Sequence, residues 1–238
     1  MADAGIRRAL KEGSLCGSLA FQPPDRKRFT VYSRGKTFLS EGGVQRGRLS
    51  ILNRELVMDA GVFFQSNAAM LELLIGDLLA AASGADKSLP MADIYCGVGT
   101  FASFLASDGM FPVIDLVEEN KTALGLAREN VVGSCGSHGT RVNYYALTDT
   151  AWVESKNRNS SWGFMVLDPP REGLSGSLRE YLARAGPALV AYVSCDPATL
   201  ARDSRCLLEG GYTLKELTLY DFYPQTAHIE SLAVFDRK

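Results

Sequence analysis

The chain contains 238 residues with a formal net charge of −2, and 46% of the residues are apolar while 22% are charged. These values are ordinary for a globular protein of one domain, or of one domain with a small partner, and they argue against intrinsic disorder. No apolar run is long enough to span a bilayer and the N-terminus lacks a signal-peptide pattern, so neither a membrane span nor a leader is expected.

The cysteines give an expectation for metal content and for the cellular compartment. Five cysteines form no CxxC pair, and only two histidines accompany them. Structural zinc sites use four such ligands at short spacings, so no metal site is expected. An odd number of unpaired thiols is typical of a reducing compartment, which predicts a cytoplasmic protein.

Residues 1–60 differ from the rest of the chain in charge and in predicted structure. They hold eleven Lys or Arg against six Asp or Glu, whereas residues 61–238 hold fourteen against twenty-one. A basic segment of this kind is compatible with binding of a polyanion, and equally with an ordinary solvated surface. Short alternating runs over residues 28–60 predict two β-hairpins, with turns at Gly35 and at Gly42–Gly43.

A helical pattern begins at Ser66 and ends at Ser83–Gly84, and strands and helices alternate regularly beyond it. Nearly continuous apolar strands separated by helices predict a parallel sheet covered on both faces. The last two strands are joined only by a loop, so one of them should run antiparallel. Five strand–helix units with a terminal hairpin resemble the Rossmann-like fold of S-adenosylmethionine-dependent enzymes. The predicted strands are 91–95, 111–117, 142–147, 164–167, 188–194, 212–220 and 230–235, and the predicted helices after the first are 100–108, 119–131, 175–185 and 197–209.

The segment DIYCGVGTFA follows a predicted strand and opens a helix. Gly97, Gly99 and Ala102 satisfy the pattern G-x-G-x-x-G/A, in which glycines let the loop turn tightly and let a ligand approach the backbone. Glu118 ends the next strand, where it can accept hydrogen bonds from the hydroxyls of a ribose. Nicotinamide-dependent dehydrogenases and methyltransferases share this pattern, and Asp93 just upstream favours a methyltransferase.

Two later motifs follow strands of the predicted sheet. VLDPPREG places Asp168 and two prolines after the fourth strand, where a stiff loop can flank a planar ring. AYVSCDPATLARD places Cys195 after the fifth strand and in front of a helix N-terminus, a position expected to lower the pKa of the thiol. A dehydrogenase needs neither feature, whereas an enzyme that methylates carbon in a base needs a clamp for the ring and a nucleophile.

Together with FFQSN at 63–67 and YPQTAHIES at 223–231, these motifs closely resemble the RNA uracil-C5 methyltransferase family, which makes 5-methyluridine in tRNA and rRNA. The resemblance covers the chain from about residue 61 to the C-terminus. It implies an α/β fold of the class I S-adenosylmethionine-dependent methyltransferase type, with a seven-stranded, mostly parallel sheet and a small N-terminal β-rich region. Residues 61–238 are then the catalytic domain, and residues 1–60 are a basic β-hairpin region that can contact RNA, with Arg26, Lys27 and Arg28 as candidate contacts.

The chemistry of this family explains a cysteine after the fifth strand. A thiolate that adds to C6 of uracil makes C5 nucleophilic towards a methyl sulfonium, and a base must then remove the C5 proton so that the thiol can leave. The resemblance assigns the nucleophile to Cys195 and the base to Glu230. The strand placement of Glu230 puts His228 on the same face two residues away, and His228 is expected to act as a positioning residue only. For S-adenosylmethionine it implies contacts from the glycine loop and from five side chains. The residues expected at the cofactor are Gln65, Tyr95, Gly97, Gly99, Thr100, Glu118 and Asp168.

The sequence also departs from the family pattern. Asp196 replaces the usual Asn after the nucleophile, and an anion there would oppose thiolate formation. The N-terminal OB-like domain of many members and the four-cysteine iron–sulfur motif of some are not found in this sequence. Either residues 1–60 bind the RNA, or the sequence is a fragment of a longer enzyme, or the chain relies on an additional RNA-binding subunit. Two alternatives stay open, namely a cytosine-C5 RNA methyltransferase and a degenerate RNA-binding protein that retains the fold. The oligomeric state, the RNA and the uridine are not predicted.

Overall fold

The computed structural model describes residues 19–21, 30–32, 46–59, 61–65, 67–106, 109–133, 139–155 and 161–237. The strands are β1 (Leu19–Phe21), β2 (Thr30–Tyr32), β3 (Arg46–Ile51), β4 (Arg54–Asp59), β5 (Met91–Ile94), β6 (Val113–Val117), β7 (Arg141–Tyr145), β8 (Phe164–Leu167), β9 (Leu189–Ser194), β10 (Thr213–Tyr220) and β11 (Glu230–Asp236). The helices are α1 (Ala68–Ser83), α2 (Thr100–Leu105), α3 (Lys121–Val132), α4 (Asp149–Glu154), α5 (Gly176–Ala185) and α6 (Pro197–Glu209).

Seven strands form one sheet in the order β10-β11-β9-β8-β5-β6-β7. All of them are parallel except β11, which pairs antiparallel with both β9 and β10. The prediction of a seven-stranded, mostly parallel sheet with one antiparallel strand at the C-terminal end is therefore confirmed. Every residue of β5, β8 and β9 is buried, which explains why these strands read as continuous apolar runs rather than as alternating ones.

Two apolar cores cover the two faces of the sheet. On one face α1, α2 and α3 pack against alternate strand residues, and on the other face α4, α5 and α6 pack against the residues between them. Most of the helices begin where a polar side chain accepts a hydrogen bond from a first-turn backbone N–H. These capping residues are Asn67, Asn120, Thr148, Ser175 and Asp196.

The described part of the N-terminal region agrees only partly with the two predicted hairpins. β3 and β4 form a hairpin, but its turn lies at Leu52 and Asn53, which both adopt positive φ, and not at a glycine. β2 falls within the predicted run 28–32 and pairs with β1, a strand that the sequence pattern did not predict. The predicted turn at Gly35 and the one at Gly42–Gly43 lie outside the described residues.

The β3–β4 hairpin packs onto the same core as the glycine loop. Ile51 and Leu56 are fully buried in the core that contains α1, α2 and α3. Asn130 on α3 accepts a hydrogen bond from Val57 N at 2.7 Å, and its side-chain amide donates to Val57 O at 3.0 Å and to Val98 O at 2.8 Å. The hairpin therefore supports the loop that carries Gly97 and Gly99. Within the described residues, no helix is both long enough and apolar enough to cross a membrane.

Candidate functional site

A cavity of about 950 Å³ opens at the carboxyl ends of β5, β6, β8 and β9, next to the start of β11. This is the edge at which open α/β sheets bind ligands. Of the nine residues predicted for the site, eight line this cavity and Gly99 does not. The eight are Gln65, Tyr95, Gly97, Thr100, Glu118, Asp168, Cys195 and Glu230.

The glycine loop is held by the acid at the end of the next strand. Gly97 N donates to Glu118 Oε2 at 3.0 Å, and Asn120 N donates to Glu118 Oε1 at 2.8 Å. Each carboxylate oxygen keeps a second acceptor position, so Glu118 can still bind a pair of hydroxyls at the cavity wall. Gly99 has a packing role instead, because a Cβ built on it would lie 2.9 Å from Ala127 Cβ on α3 and its φ is +76°.

Tyr95 reaches across the site to an acid that the sequence analysis missed. Tyr95 has a φ of +64°, which is strained for a bulky residue, and its hydroxyl donates to Asp149 Oδ2 at 2.5 Å. Asp149 also accepts from Ser175 N at 3.1 Å and from Thr150 N at 2.7 Å. Burial opposes the charge of Asp149, but these hydrogen bonds outweigh it and its pKa lies below the usual value. Asp149 is therefore an anion in the cavity wall.

The reason for missing Asp149 is the length of α4, which has only six residues and shows no helical periodicity. The one signal in the sequence was Thr148 followed by Asp149, a common way to begin a helix. The helix is nevertheless well anchored, because Trp152 is fully buried and its ring centroid lies 5.5 Å from that of Trp162.

One buried acceptor in the cavity wall has no partner within the described protein. The side chain of Gln65 is 8% exposed, and its Oε1 atom accepts no hydrogen bond. A buried acceptor without a donor costs about 1–3 kcal/mol. A ligand that donates to Gln65 from the cavity would remove this cost, so the site is suited to a ligand with N–H or O–H groups.

Asp168, Cys195 and Glu230 form the reactive end of the cavity. Burial raises the pKa of Glu230 to about 7, and Glu230 is 2% exposed. Burial, followed by the charges of Glu230 and Asp93, holds the pKa of Asp168 well above its usual value. Glu230 therefore exchanges a proton near neutral pH, as expected of a carboxyl that acts in general acid–base chemistry, and burial favours the protonated form of Asp168.

The expectation of a lowered thiol pKa was wrong. Burial raises the pKa of Cys195 and the charges of Glu230 and Asp168 raise it further, whereas the charge of Arg171 and a backbone hydrogen bond act in the opposite direction. The helix N-terminus does not stabilise the thiolate because Asp196 occupies it: its Oδ1 atom accepts from Ala198 N and from Thr199 N, each at 2.9 Å. These bonds lower the pKa of Asp196, and they occupy its side chain as the N-terminal cap of α6.

A second acid, Asp203 on α6, holds the loop of the PPREG motif. This fully buried carboxylate accepts from Leu174 N at 2.9 Å and from the Tyr192 hydroxyl at 2.8 Å. Arg202 bonds Asp203 and also donates to Glu172 O at 2.8 Å. Asp203 belongs to the ATLARD segment that follows Cys195. Its contact with the loop after β8 depends on the tertiary structure and could not be predicted from spacing.

The raised carboxyl pKa values predict a pH dependence of stability. Between the unfolded pKa of about 4.3 and the folded value of about 7, the folded chain keeps a proton on Glu230 that the unfolded chain gives up. The free energy of unfolding should therefore fall as the pH rises from 5 to 7.5, and level off above it. Urea unfolding of wild type and Glu230→Gln at both pH values checks this. The variant should lose less stability than wild type over this interval, and equal losses would contradict the assignment.

No group of three or more His, Cys, Asp or Glu side chains in the described ranges is placed to hold a metal ion. The polar groups that line the cavity include its carboxyl groups, the Cys195 thiol, the amide of Gln65 and the backbone of the glycine loop.

Comparison with known proteins places this site in context. Residues 155–238 match the family model of tRNA (uracil-5-)-methyltransferases. An uncharacterized RNA methyltransferase of Treponema denticola is 34% identical over 218 residues, which cover 87% of this chain and 53% of that protein. The 23S rRNA (uracil(1939)-C(5))-methyltransferase RlmD of Pseudomonas fluorescens is 36% identical over 192 residues, which cover 79% of this chain and 41% of that protein. The chain spans about half the length, or less, of the curated relatives it matches.

Solved structures of methyltransferases are also similar to this chain. The Pyrococcus abyssi tRNA (uracil-54, C5)-methyltransferase in complex with S-adenosyl-L-homocysteine has a TM-score of 0.65 and 28% identity, covering 85% of this chain and 48% of that one. A SAM-dependent methyltransferase of Agrobacterium tumefaciens has a TM-score of 0.61 and 15% identity, and the match covers 92% of this chain and 77% of that chain. At this identity the likeness shows the fold alone. The predicted class I methyltransferase fold is confirmed.

Proposed function

Since the chain belongs to the RNA uracil-C5 methyltransferase family, we propose that it transfers a methyl group from S-adenosylmethionine to C5 of a uracil in tRNA or rRNA. The observation that carries this proposal is the meeting of Cys195 and Glu230 in one cavity. β9 and β11 are antiparallel, and Ser194 pairs with Ser231, so the residues just beyond this pair stand side by side at the same end of the sheet.

The described residues fit the cofactor. Glu118 offers acceptor positions for two ribose hydroxyls, and Gln65 offers an unpaired acceptor. Six carboxyl groups and one arginine line the cavity, and Asp149 among them is an anion, which favours a ligand that carries a sulfonium and an ammonium group. Gly97, Tyr95, Thr100 and Asp168 complete the proposed cofactor-binding set. When bound, S-adenosylmethionine supplies an electrophilic methyl group.

The chain's own residues act on the base. The Cys195 thiolate adds to C6, which places the ring electrons on C5 and on the conjugated carbonyl oxygen. After C5 has taken the methyl group, Glu230 removes the C5 proton, the C5–C6 double bond forms again, and the thiolate leaves. A carboxyl whose pKa lies at about 7 is well matched to this proton transfer at neutral pH.

The test is the nucleoside produced. The purified chain is incubated with methyl-labelled S-adenosylmethionine and, separately, with unmodified tRNA and 23S rRNA transcripts, and the digested RNA is analysed by mass spectrometry. Labelled 5-methyluridine supports the proposal, and the RNA that carries it identifies the substrate. Labelled 5-methylcytidine would indicate a cytosine-C5 enzyme. RNA binding without a methylated nucleoside would indicate a degenerate protein that keeps the fold.

We expect Glu118→Ala to weaken S-adenosylmethionine binding by about 1–3 kcal/mol, because hydrogen bonds to a charged acceptor are lost and the glycine loop loses its anchor. Isothermal titration calorimetry measures the dissociation constant directly. The matched control is Glu180→Ala, an exposed position on α5 outside the cavity, which should leave it unchanged. An unaltered constant in Glu118→Ala would mean that the ribose lies elsewhere.

Residues 1–60 are proposed as the RNA-contacting region, and the proposed location is the cytoplasm. Arg26, Lys27 and Arg28 lie outside the described residues. An additional RNA-binding subunit is the alternative.

A further inference from the structure

An RNA that enters this cavity meets a wall rich in carboxyl groups. Six carboxyl groups line it, of which Asp168 and Glu230 have raised pKa values, and Arg171 is the only Lys or Arg among the described lining residues. Each phosphate of the RNA would be repelled by such a wall unless a cation lies where the strand passes. How the RNA backbone can approach Cys195 therefore depends on where Arg171 lies and on whether another group already pairs with its charge.

Arg171 is exposed and has no carboxylate within ion-pairing distance among the described residues. Other arginines near the site are already engaged, since Arg179 and Arg202 both pair with Asp203. The charge of Arg171 reaches both Cys195 and Asp196, whose pKa values it lowers. Its guanidinium thus stands near the proposed nucleophile without a carboxylate partner among the described residues.

The backbone that carries Arg171 is fixed before any ligand arrives. Gly173 N donates to Pro170 O at 2.8 Å, which closes a tight turn around Arg171. Gly173 has a φ of +74°, and a Cβ there would lie 2.5 Å from Asp203 Oδ2, so the turn packs directly on the Asp203 network. A preorganised turn lowers the entropy lost on binding.

His228 provides a second donor at the same point. Arg171 Nη2 lies 3.3 Å from His228 Nδ1, and a guanidinium can only donate, so Nδ1 is the acceptor in this contact and Nε2 is left to donate. His228 is exposed as well. The guanidinium and the Nε2–H group therefore present donors side by side at the cavity mouth.

We propose that Arg171 and His228 form a binding site for one RNA backbone phosphate next to the target uridine. This inference rests on the proposed function. A phosphate fits better than a base oxygen because both side chains are exposed at the rim, whereas Glu230, which must reach the ring, is 2% exposed. The base would enter the cavity while its phosphate stays at the mouth. The pair reduces the repulsion between the RNA phosphate and the carboxylates of the cavity at the point where the strand approaches the cavity.

The test measures binding of octauridylate by fluorescence anisotropy between 50 and 300 mM KCl. For single strands the slope of log K against log salt is about −0.7 for each phosphate contact. Arg171→Gln should flatten the slope by about 0.7, and Arg171→Lys should keep most of it because the charge remains. His228→Gln should weaken binding about two- to tenfold, as for one neutral hydrogen bond, and leave the slope unchanged.

The matched control is Arg205→Gln on α6, an exposed arginine whose partner is Glu209, and it should keep the wild-type slope. S-adenosylmethionine binding by each variant verifies its fold. The inference is overturned if Arg171→Gln keeps the wild-type slope, if Arg205→Gln flattens it equally, or if wild type does not bind octauridylate. Formation of 5-methyluridine by wild type tests the proposed function separately, so that failure of one does not imply failure of the other.

Discussion

Glu230→Gln is expected to trap a methylated RNA on the protein. Gln keeps the shape of the side chain but cannot accept the C5 proton, so addition of Cys195 and methyl transfer should proceed while release stalls. Turnover should fall by about 10²–10⁴-fold, the usual contribution of a general base. The measurement is a denaturing gel with methyl-labelled cofactor, in which protein, RNA and label should migrate together.

Two control variants test whether the covalent adduct depends on Cys195 and Glu230. The double variant Cys195→Ala, Glu230→Gln should form none, because the bond to C6 cannot form. Glu216→Gln, an exposed glutamate on β10, should turn over like wild type. Normal turnover of Glu230→Gln, or lost activity without any adduct, would mean that Glu230 does not resolve the intermediate, and Asp168 would be the next carboxylate to test.

Cys195→Ala is expected to abolish methyl transfer, with a fall of at least about 10⁴-fold, because loss of a covalent nucleophile typically has an effect of this size. Binding of S-adenosylmethionine should be nearly unchanged, since the thiol acts on the base and not on the cofactor. Labelled-methyl incorporation into RNA measures the first quantity and calorimetry measures the second.

Cys206→Ala is the matched control for this loss. Cys206 is also a free, half-buried thiol, but it lies on α6 and outside the cavity. It should behave like wild type in both measurements. Activity near the wild-type level in Cys195→Ala would show that the proposed nucleophile is wrong, whatever the cofactor does.

Most of the candidate site could be predicted from short sequence motifs. The glycine loop, the acid after β8 and the cysteine after β9 each follow a strand, and the carboxyl ends of parallel strands share one edge. Their meeting in one cavity therefore followed from the order of the elements. The roles of Cys195 and Glu230 came from the family resemblance, and they stay predictions until the variants are measured.

Other features depend on contacts between distant segments. Asp149 is the first residue of a six-residue helix, and its partner Tyr95 is 54 positions away. The pKa of Cys195 is raised, opposite to expectation, because tertiary structure buries the thiol and brings Glu230 and Asp168 to it, while Asp196 occupies the helix N-terminus. The β3–β4 turn was missed because Leu52 is an unusual residue for positive φ.

The antiparallel strand β11 makes the proposed chemistry depend on the order in which the chain is made. β11 lies between β9 and β10, and within the described sheet β10 pairs only with β11. Synthesis delivers β9 and β10 before the segment from Glu230 to Asp236, which lies between them in the sheet. That segment brings the proposed base as it completes the sheet. On the proposed mechanism, a nascent or shortened chain that stops before Glu230 has the thiol and the glycine loop but lacks the base that releases the methylated RNA.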